Sequence, residues 1–233
     1  MARPNGVVIA SERFWAFAGV DGSLAEGEMP PRTRGVVRHI PLLRGLVRLA
    51  AALSPLARRR GVVGARERVF LAVIVVASFA FFVLPDGLEL AAGVGLSVVM
   101  VGWLLRGRTL HLHGAEHRAI RAVEDRTLAA TWAGELRPSR FAARCGTNFA
   151  ALVLPVATVA ERVWPLPAAV VALLSLAFTM ELWLAIEGSR RRIARALLAP
   201  GLVLQRLTTR EPSLEETRIA LRAAESVLRR ELA

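Results

Sequence analysis

The sequence predicts an all-α integral membrane bundle: four transmembrane helices in two hairpins, with a small N-terminal β-hairpin and a cytoplasmic C-terminal helix. Three observations predict it. Hydrophobic residues make up 54% of the 233 and the mean hydropathy is +0.45, more apolar surface than a soluble chain of this size readily hides. The apolar residues gather in four stretches between positions 69 and 186. The basic residues, all 31 of them Arg, lie outside those stretches except for Arg162, and against 19 acidic residues they give a net charge of +12.

Residues 1–33 read as a small cytoplasmic β element. Val7-Val8-Ile9 and Phe14-Trp15-Ala16-Phe17 are β-prone, and Asp21-Gly22 is a favoured two-residue turn. The stretch Met1 to Glu28 has no basic-then-apolar signal pattern, so insertion is expected to rely on the first true span. Residues 34–60 set Arg34, Arg38, Arg44 and Arg48 among Val and Leu, with Arg44 and Arg48 four apart on one helix face. Such a basic amphipathic segment suits the headgroup plane of a membrane, or else packing on the protein's own polar domain. Arg58-Arg59-Arg60 closes it as a cytoplasmic anchor.

The first expected hairpin, 66–105, joins Val69–Leu84 to Leu88–Leu105 through Pro85-Asp86-Gly87. The second, 149–187, joins Phe149–Val163 to Pro167–Ile186 around Trp164-Pro165. Each stretch is near the lower end of the ~17–25 residues that span a bilayer. Residues 34–68 hold nine Arg, 106–148 hold eight and 188–233 hold ten, whereas the hairpin tips hold only Arg162. The positive-inside rule then predicts a multi-pass plasma (inner) membrane protein with both termini cytoplasmic. The partners expected are the bilayer, anionic lipid headgroups and further copies of the chain, with no nucleic acid. In the tail, 188–233, Pro212, Ser213 and Glu216 form a capping-box signature for a helix running to about Arg230.

The chemistry-bearing residues concentrate in the loop 106–148. His113-Gly114-Ala115-Glu116-His117 has the form H-x-x-E-H, which on a helix aims both imidazoles the same way, as two ligands of one metal must be aimed. Glu116 beside them suits a general base toward water. A third ligand is available from Cys145, a soft thiolate donor, or from Glu181, a carboxylate inside the last apolar stretch. The cofactor expected is a divalent metal, zinc before others. The competing reading keeps these side chains as structural hydrogen-bonding groups, with Glu181 paired to an Arg or His. Thr208, Thr209 and Arg210 stand before the Ser213 helix start, where hydroxyls, guanidinium and exposed N–H groups suit an anion such as a lipid headgroup. The alternative there is a helix cap with an Arg–Glu pair.

Taken together, His113-Gly114-Ala115-Glu116-His117-Arg118, Arg144-Cys145-Gly146-Thr147-Asn148-Phe149, and Pro200-Gly201-Leu202 with Gln205 and Thr208-Thr209-Arg210-Glu211-Pro212 resemble the YqhQ family of uncharacterised bacterial membrane proteins. The resemblance covers roughly residues 34–230 and implies a multi-span inner-membrane protein of a group regarded as metal-dependent enzymes. Two features depart from it. The glycine-rich opening of the family is missing, and Ala142 and Ala143 stand where the family has a His-Pro pair. The functional expectation is a metal-dependent hydrolase at the cytoplasmic face, with His113, His117, Cys145 and Glu181 as ligands and Glu116 as base. Its rival is a non-catalytic scaffold or oligomeric assembly built from the same groups.

Overall fold

Strict alternation sorts the first 28 residues into two faces. In the computed structural model, β1 (Ala2–Arg3), β2 (Gly6–Ala10), β3 (Phe14–Gly19) and β4 (Leu24–Glu28) form an antiparallel meander in the order β1-β2-β3-β4. The register sets Val7 opposite Ala18 and Ile9 opposite Ala16, so these four side chains share one face. Val8, Trp15 and Phe17 occupy the other, with Met1 and Met29 against them. Gly22, at φ +87°, takes the left-handed turn between β3 and β4 that Asp21-Gly22 predicts. The structure describes residues 1–29, 39–57, 69, 72–73, 76, 88–104, 107–187, 189 and 196–233.

Among these residues there are eight helices: α1 (Leu43–Ala57), α2 (Leu88–Leu104), α3 (Thr109–Glu124), α4 (Leu128–Ala133), α5 (Gly146–Val163), α6 (Ala168–Glu187), α7 (Ala199–Thr208) and α8 (Leu214–Leu232). Helices α3 and α8 cover the Val7–Ile9 face of the sheet. Their buried alanines, Ala115, Ala119 and Ala122 on α3 and Ala220, Ala223 and Ala224 on α8, let two helices and a sheet approach closely around Leu112, Ile219 and Val227. The α8 start is the expected capping box, with Ser213 Oγ accepting from Glu216 N–H and the Glu216 carboxylate accepting from Ser213 N–H. Contacts with the far end of the chain complete the unit: Ser11 Oγ donates to Glu231 at 2.6 Å and Arg222 donates to the Gly22 carbonyl at 2.8 Å.

A second unit is built on α5 and α6, antiparallel neighbours that also contact α7 and α1 respectively. Leu152, Ile186 and Leu198 make a small core, and the Phe149 and Trp183 rings lie 5.3 Å apart. Helix α1 approaches α6 where Gly45 faces the Ala177 carbonyl, and Arg44 Nε donates to both Glu181 oxygens at 2.8 Å.

The four-span all-α bundle expected from hydropathy is overturned. The N-terminal residues form a four-stranded sheet sealed by two helices rather than a small hairpin beside an all-α bundle, so a mixed α/β unit is integral to the fold. Among the described residues one helix, Ala168–Ile186, with 19 residues, is long and apolar enough to cross a membrane. Helix α2 has 17 residues, and α5 carries Pro155 within it and Glu161 and Arg162 near its end. The stretch Val69–Leu84, the turn at 85–87 and the basic triplets 58–60 and 190–192 fall almost wholly outside the described residues.

Candidate metal centre

Helix α3 places residues 113, 114, 117 and 118 on one contiguous face, as 3.6-residue periodicity requires. That face meets two other segments: the stretch 138–145 leading into α5, and the stretch 208–212 between α7 and α8. His113, His117 and Cys145 converge there, with one ligand atom from each lying within 4.8 Å of the others. Cys145 and His117 are buried. The rings of His113 and His117 meet edge to face at 4.5 Å.

The hydrogen bonds fix which nitrogen of each ring is available. His113 Nδ1 lies 2.8 Å from the Thr208 carbonyl, and His117 Nδ1 lies 2.6 Å from the Arg140 carbonyl. A carbonyl only accepts, so both Nδ1 atoms carry hydrogen and both Nε2 atoms are left as the inward-facing donors. His113 Nε2 stands 3.2 Å from Cys145 Sγ. An outward N–H held by a backbone oxygen is what metal-ligating imidazoles require, and the inward Nε2 of His113, which hydrogen-bonds the Cys145 sulfur in the metal-free protein, would give up its proton on binding an ion. Zinc bonds of about 2.0–2.1 Å to nitrogen and about 2.3 Å to sulfur place tetrahedral donor atoms roughly 3.3–3.8 Å apart, so small side-chain adjustments close the set around an ion.

Cys145 is prepared as a thiolate. It is the N-cap of α5, with extended backbone, and Thr147 N–H donates to its sulfur at 3.4 Å, where the helix dipole favours negative charge. Burial pushes the thiol up, but hydrogen bonds from His113 and His117 and their charge outweigh it, lowering the pKa from 9.0 to about 5. His113 is raised above its usual 6.5: burial lowers it, and the hydrogen bond to Cys145 and the Glu116 charge more than offset that. Thiolate absorbance of the metal-free protein is therefore expected to titrate with a midpoint near 5 rather than 9.0. The corresponding contribution to stability is complete above the unfolded value of 9.0 and is lost as pH falls through about 5. His113 acts oppositely, stabilising fully below 6.5 and losing that contribution as pH rises through its folded pKa.

Buried amides hold the cysteine loop. Gln205 donates to the Ala142 carbonyl at 2.8 Å and accepts from the Ala142 N–H at 3.0 Å, pairing with that residue as a neighbouring strand would. Its Nε2 also reaches Asn148 Oδ1 at 3.0 Å, and Asn148 donates to the carbonyls of Ala142 and Ala143. Neither amide has solvent exposure. Gly201 makes room for them: a Cβ there would sit 2.2 Å from Asn148 Oδ1. Thus Ala142 and Ala143 contribute backbone atoms that set the position of Cys145.

The other expected residues stand elsewhere. Glu181 is bound by Arg44 at the α1–α6 contact and is not in the His–Cys group. The Glu116 carboxylate pairs with the Met1 ammonium at 2.6 Å on the sheet side of α3. Burial raises its carboxyl pKa, and the ammonium and the two histidines outweigh that and hold it low. Thr209 is buried and donates to the Gln205 carbonyl at 2.6 Å; Thr208 donates to the Leu204 carbonyl at 3.2 Å. Arg210 N–H bonds to the Leu110 carbonyl while its side chain is exposed. The Thr208–Arg210 segment therefore works through its backbone, closing α7 and supplying the Thr208 carbonyl to His113. Arg140, which the sequence did not single out, enters the same way, since a carbonyl oxygen leaves no residue-type signal.

The family model described as "Protein of unknown function (DUF1385)" matches residues 98–230, which is more than half of the chain and contains the whole centre. The chain belongs to the DUF1385 family. No curated protein and no solved structure matches it. Within this DUF1385 chain the matched region runs from α2 to α8 and leaves out the β-sheet that α3 and α8 cover.

Proposed function

We propose that this DUF1385 protein is a membrane-associated metalloprotein whose His113–His117–Cys145 centre binds a zinc-class ion and serves hydrolysis at the cytoplasmic face. The observation that carries the reading is the double tautomer lock. Two imidazoles with Nδ1–H held by backbone carbonyls turn Nε2 toward one buried thiolate. A soft sulfur with two nitrogens suits zinc better than magnesium or calcium. Three protein donors would leave a zinc-class ion one position for water, and the chemistry such an ion would supply is a lowered water pKa. The chain's own residues hold Cys145 as a thiolate, orient the two imidazoles and bury Cys145 and His117.

The membrane part rests on the exposed apolar sides of the helical unit and on chain parity. Leu154, Val159, Val163, Leu173 and Phe178 are half or more exposed on α5 and α6, and 28% of the apolar window in α6 is buried within the chain. Helices α3 and α8 pack in one unit, so the chain between them returns to the side on which it started. A crossing by α6 then calls for a return crossing, and α5 packs along it. Eighteen of the Arg fall within 106–148 and 188–233, which favours the cytoplasm for the metal centre. The motifs shared with YqhQ proteins agree with a bacterial plasma-membrane setting.

The test is metal analysis of the detergent-purified chain, followed by assay of p-nitrophenyl ester and phosphodiester hydrolysis before and after chelation. One equivalent of zinc, with chelator-sensitive hydrolysis, is expected. A protein free of zinc, iron, manganese and cobalt after purification and reloading would end the reading. A second reading, a non-catalytic clasp, is favoured by one observation: the donors come from two packed units, α3 on one side and the α5 N-cap on the other. Stoichiometric metal with no hydrolysis, and with chelation opening the 134–145 stretch to trypsin, would select the clasp.

A further inference from the structure

The carbonyls of Thr208 and Arg140 that lock the two histidines lie on separate segments, and something must hold each at its distance. Arg140 makes one direct tie, its Nη1 donating to the Thr209 carbonyl at 3.1 Å. The larger tie is Arg118, one residue past His117 and 5% exposed. Its Nε donates to the Pro138 carbonyl at 3.0 Å, and its two terminal nitrogens reach the Pro212 carbonyl at 3.5 Å and Glu211 Oε1 at 2.5 Å. One guanidinium thus grips both segments, two residues from the Arg140 carbonyl on one and three or four from the Thr208 carbonyl on the other. Its planar fork allows this; an ammonium on a flexible stem has no such spread.

We infer that Arg118 is a positioning residue for the metal centre, setting the tautomer and orientation of His117 and His113 through the two segments it clamps. The inference rests on the metal reading above and adds a residue that touches neither the ion nor the reacting atoms.

Charge and position have opposite consequences, which makes the inference testable. Removing a cation near a cationic ion would by electrostatics alone tighten metal binding. Loss of positioning weakens it by about 10–100-fold, as for other groups that orient a ligand. Arg118→Met is therefore expected to bind zinc about 10–100-fold more weakly, and Arg118→Lys, which keeps the charge, to stay close to the Met variant. Nitrogen-15 NMR of the imidazoles in the metal-free proteins is expected to show Nδ1–H fixed in wild type and mixed tautomers in both variants. Near-UV circular dichroism checks folding. Should Arg118→Met not fold, Glu211→Ala removes a partly exposed partner of the guanidinium and is expected to give mixed imidazole tautomers in the metal-free protein, a readout that the lost charge alone does not move. Wild-type affinity and intact Nδ1–H tautomers in a folded Arg118→Met protein, or tighter zinc binding, would overturn the inference. If wild type itself takes up no metal, the metal reading fails, while the NMR comparison still decides whether Arg118 sets the tautomers.

Discussion

Cys145→Ser is expected to abolish stoichiometric zinc in the purified chain and to remove the sulfur-to-metal charge-transfer band of the cobalt-loaded protein. Structural zinc sites with four ligands bind with about 10–16 kcal/mol, so one ligand carries roughly 3–4 kcal/mol, or about a hundred- to a thousandfold in affinity. A serine hydroxyl stays neutral where the thiolate is charged, so it does not replace the lost donor. His117→Ala is expected to weaken binding to a similar degree but to leave a cobalt–sulfur band at high metal concentration, because Cys145 remains. The two variants thus report on different donors of one site. Zinc bound by Cys145→Ser with wild-type affinity would remove the sulfur from the site.

Gly114→Ala is expected to have an effect of comparable size on stability, although it changes no polar group. A Cβ at position 114 would lie 2.3 Å from the Arg210 carbonyl oxygen and 3.2 Å from Pro212 Cδ. The first of these neighbours is backbone, held by the Arg210 N–H bond to Leu110 at 2.9 Å, so it cannot rotate away. The segment 208–212 must move off α3, taking the Thr208 carbonyl from His113 and straining the bonds of Arg118. Overpacking of this kind costs about 1–3 kcal/mol, more where backbone bonds break. Denaturant midpoints followed by tryptophan fluorescence measure it, and zinc affinity should fall in parallel. Gly146→Ala is the control: nothing lies within 4 Å of its Cβ position, so it is expected to leave both readouts unchanged. Equal behaviour of the two alanine variants would refute the close approach.

What could be read from residue types was read where a side chain acts by its own chemistry at short range. The spacing of His113 and His117, the donor character of Cys145 and the Ser213–Glu216 box each depend on atoms the residue name reveals. The β-prone runs and Asp21-Gly22 likewise foretold the strands, but not that helices α3 and α8 would seal them, because pairing across 200 residues leaves no local pattern. Hydropathy overstated the spans because it averages composition and ignores length and interruptions: α2 has 17 residues, and α5 carries Pro155 with Glu161 and Arg162 near its end. Glu181 looked like a site residue because a carboxylate in an apolar stretch needs a partner, and Arg44 is that partner. The hydroxyls of Thr208 and Thr209 looked available for an anion, yet the nearest acceptors were carbonyls of their own helix. Gln205, Asn148 and Arg140 act on or through backbone atoms, which every residue possesses.

The sheet that opens the chain is closed by the helix that ends it, with Ser11 bonded to Glu231 across 220 positions. During synthesis the strands therefore leave the ribosome long before their cover exists, and their apolar face must wait or be shielded. Contacts so distant in sequence are slow to form. The donor-bearing α3 shares that same core, so a nascent chain stalled before α8 would hold its ligands on an unsupported helix. Metal uptake would then mark a chain in which α8 has been made, and ribosome-bound intermediates truncated before residue 213 should stay empty.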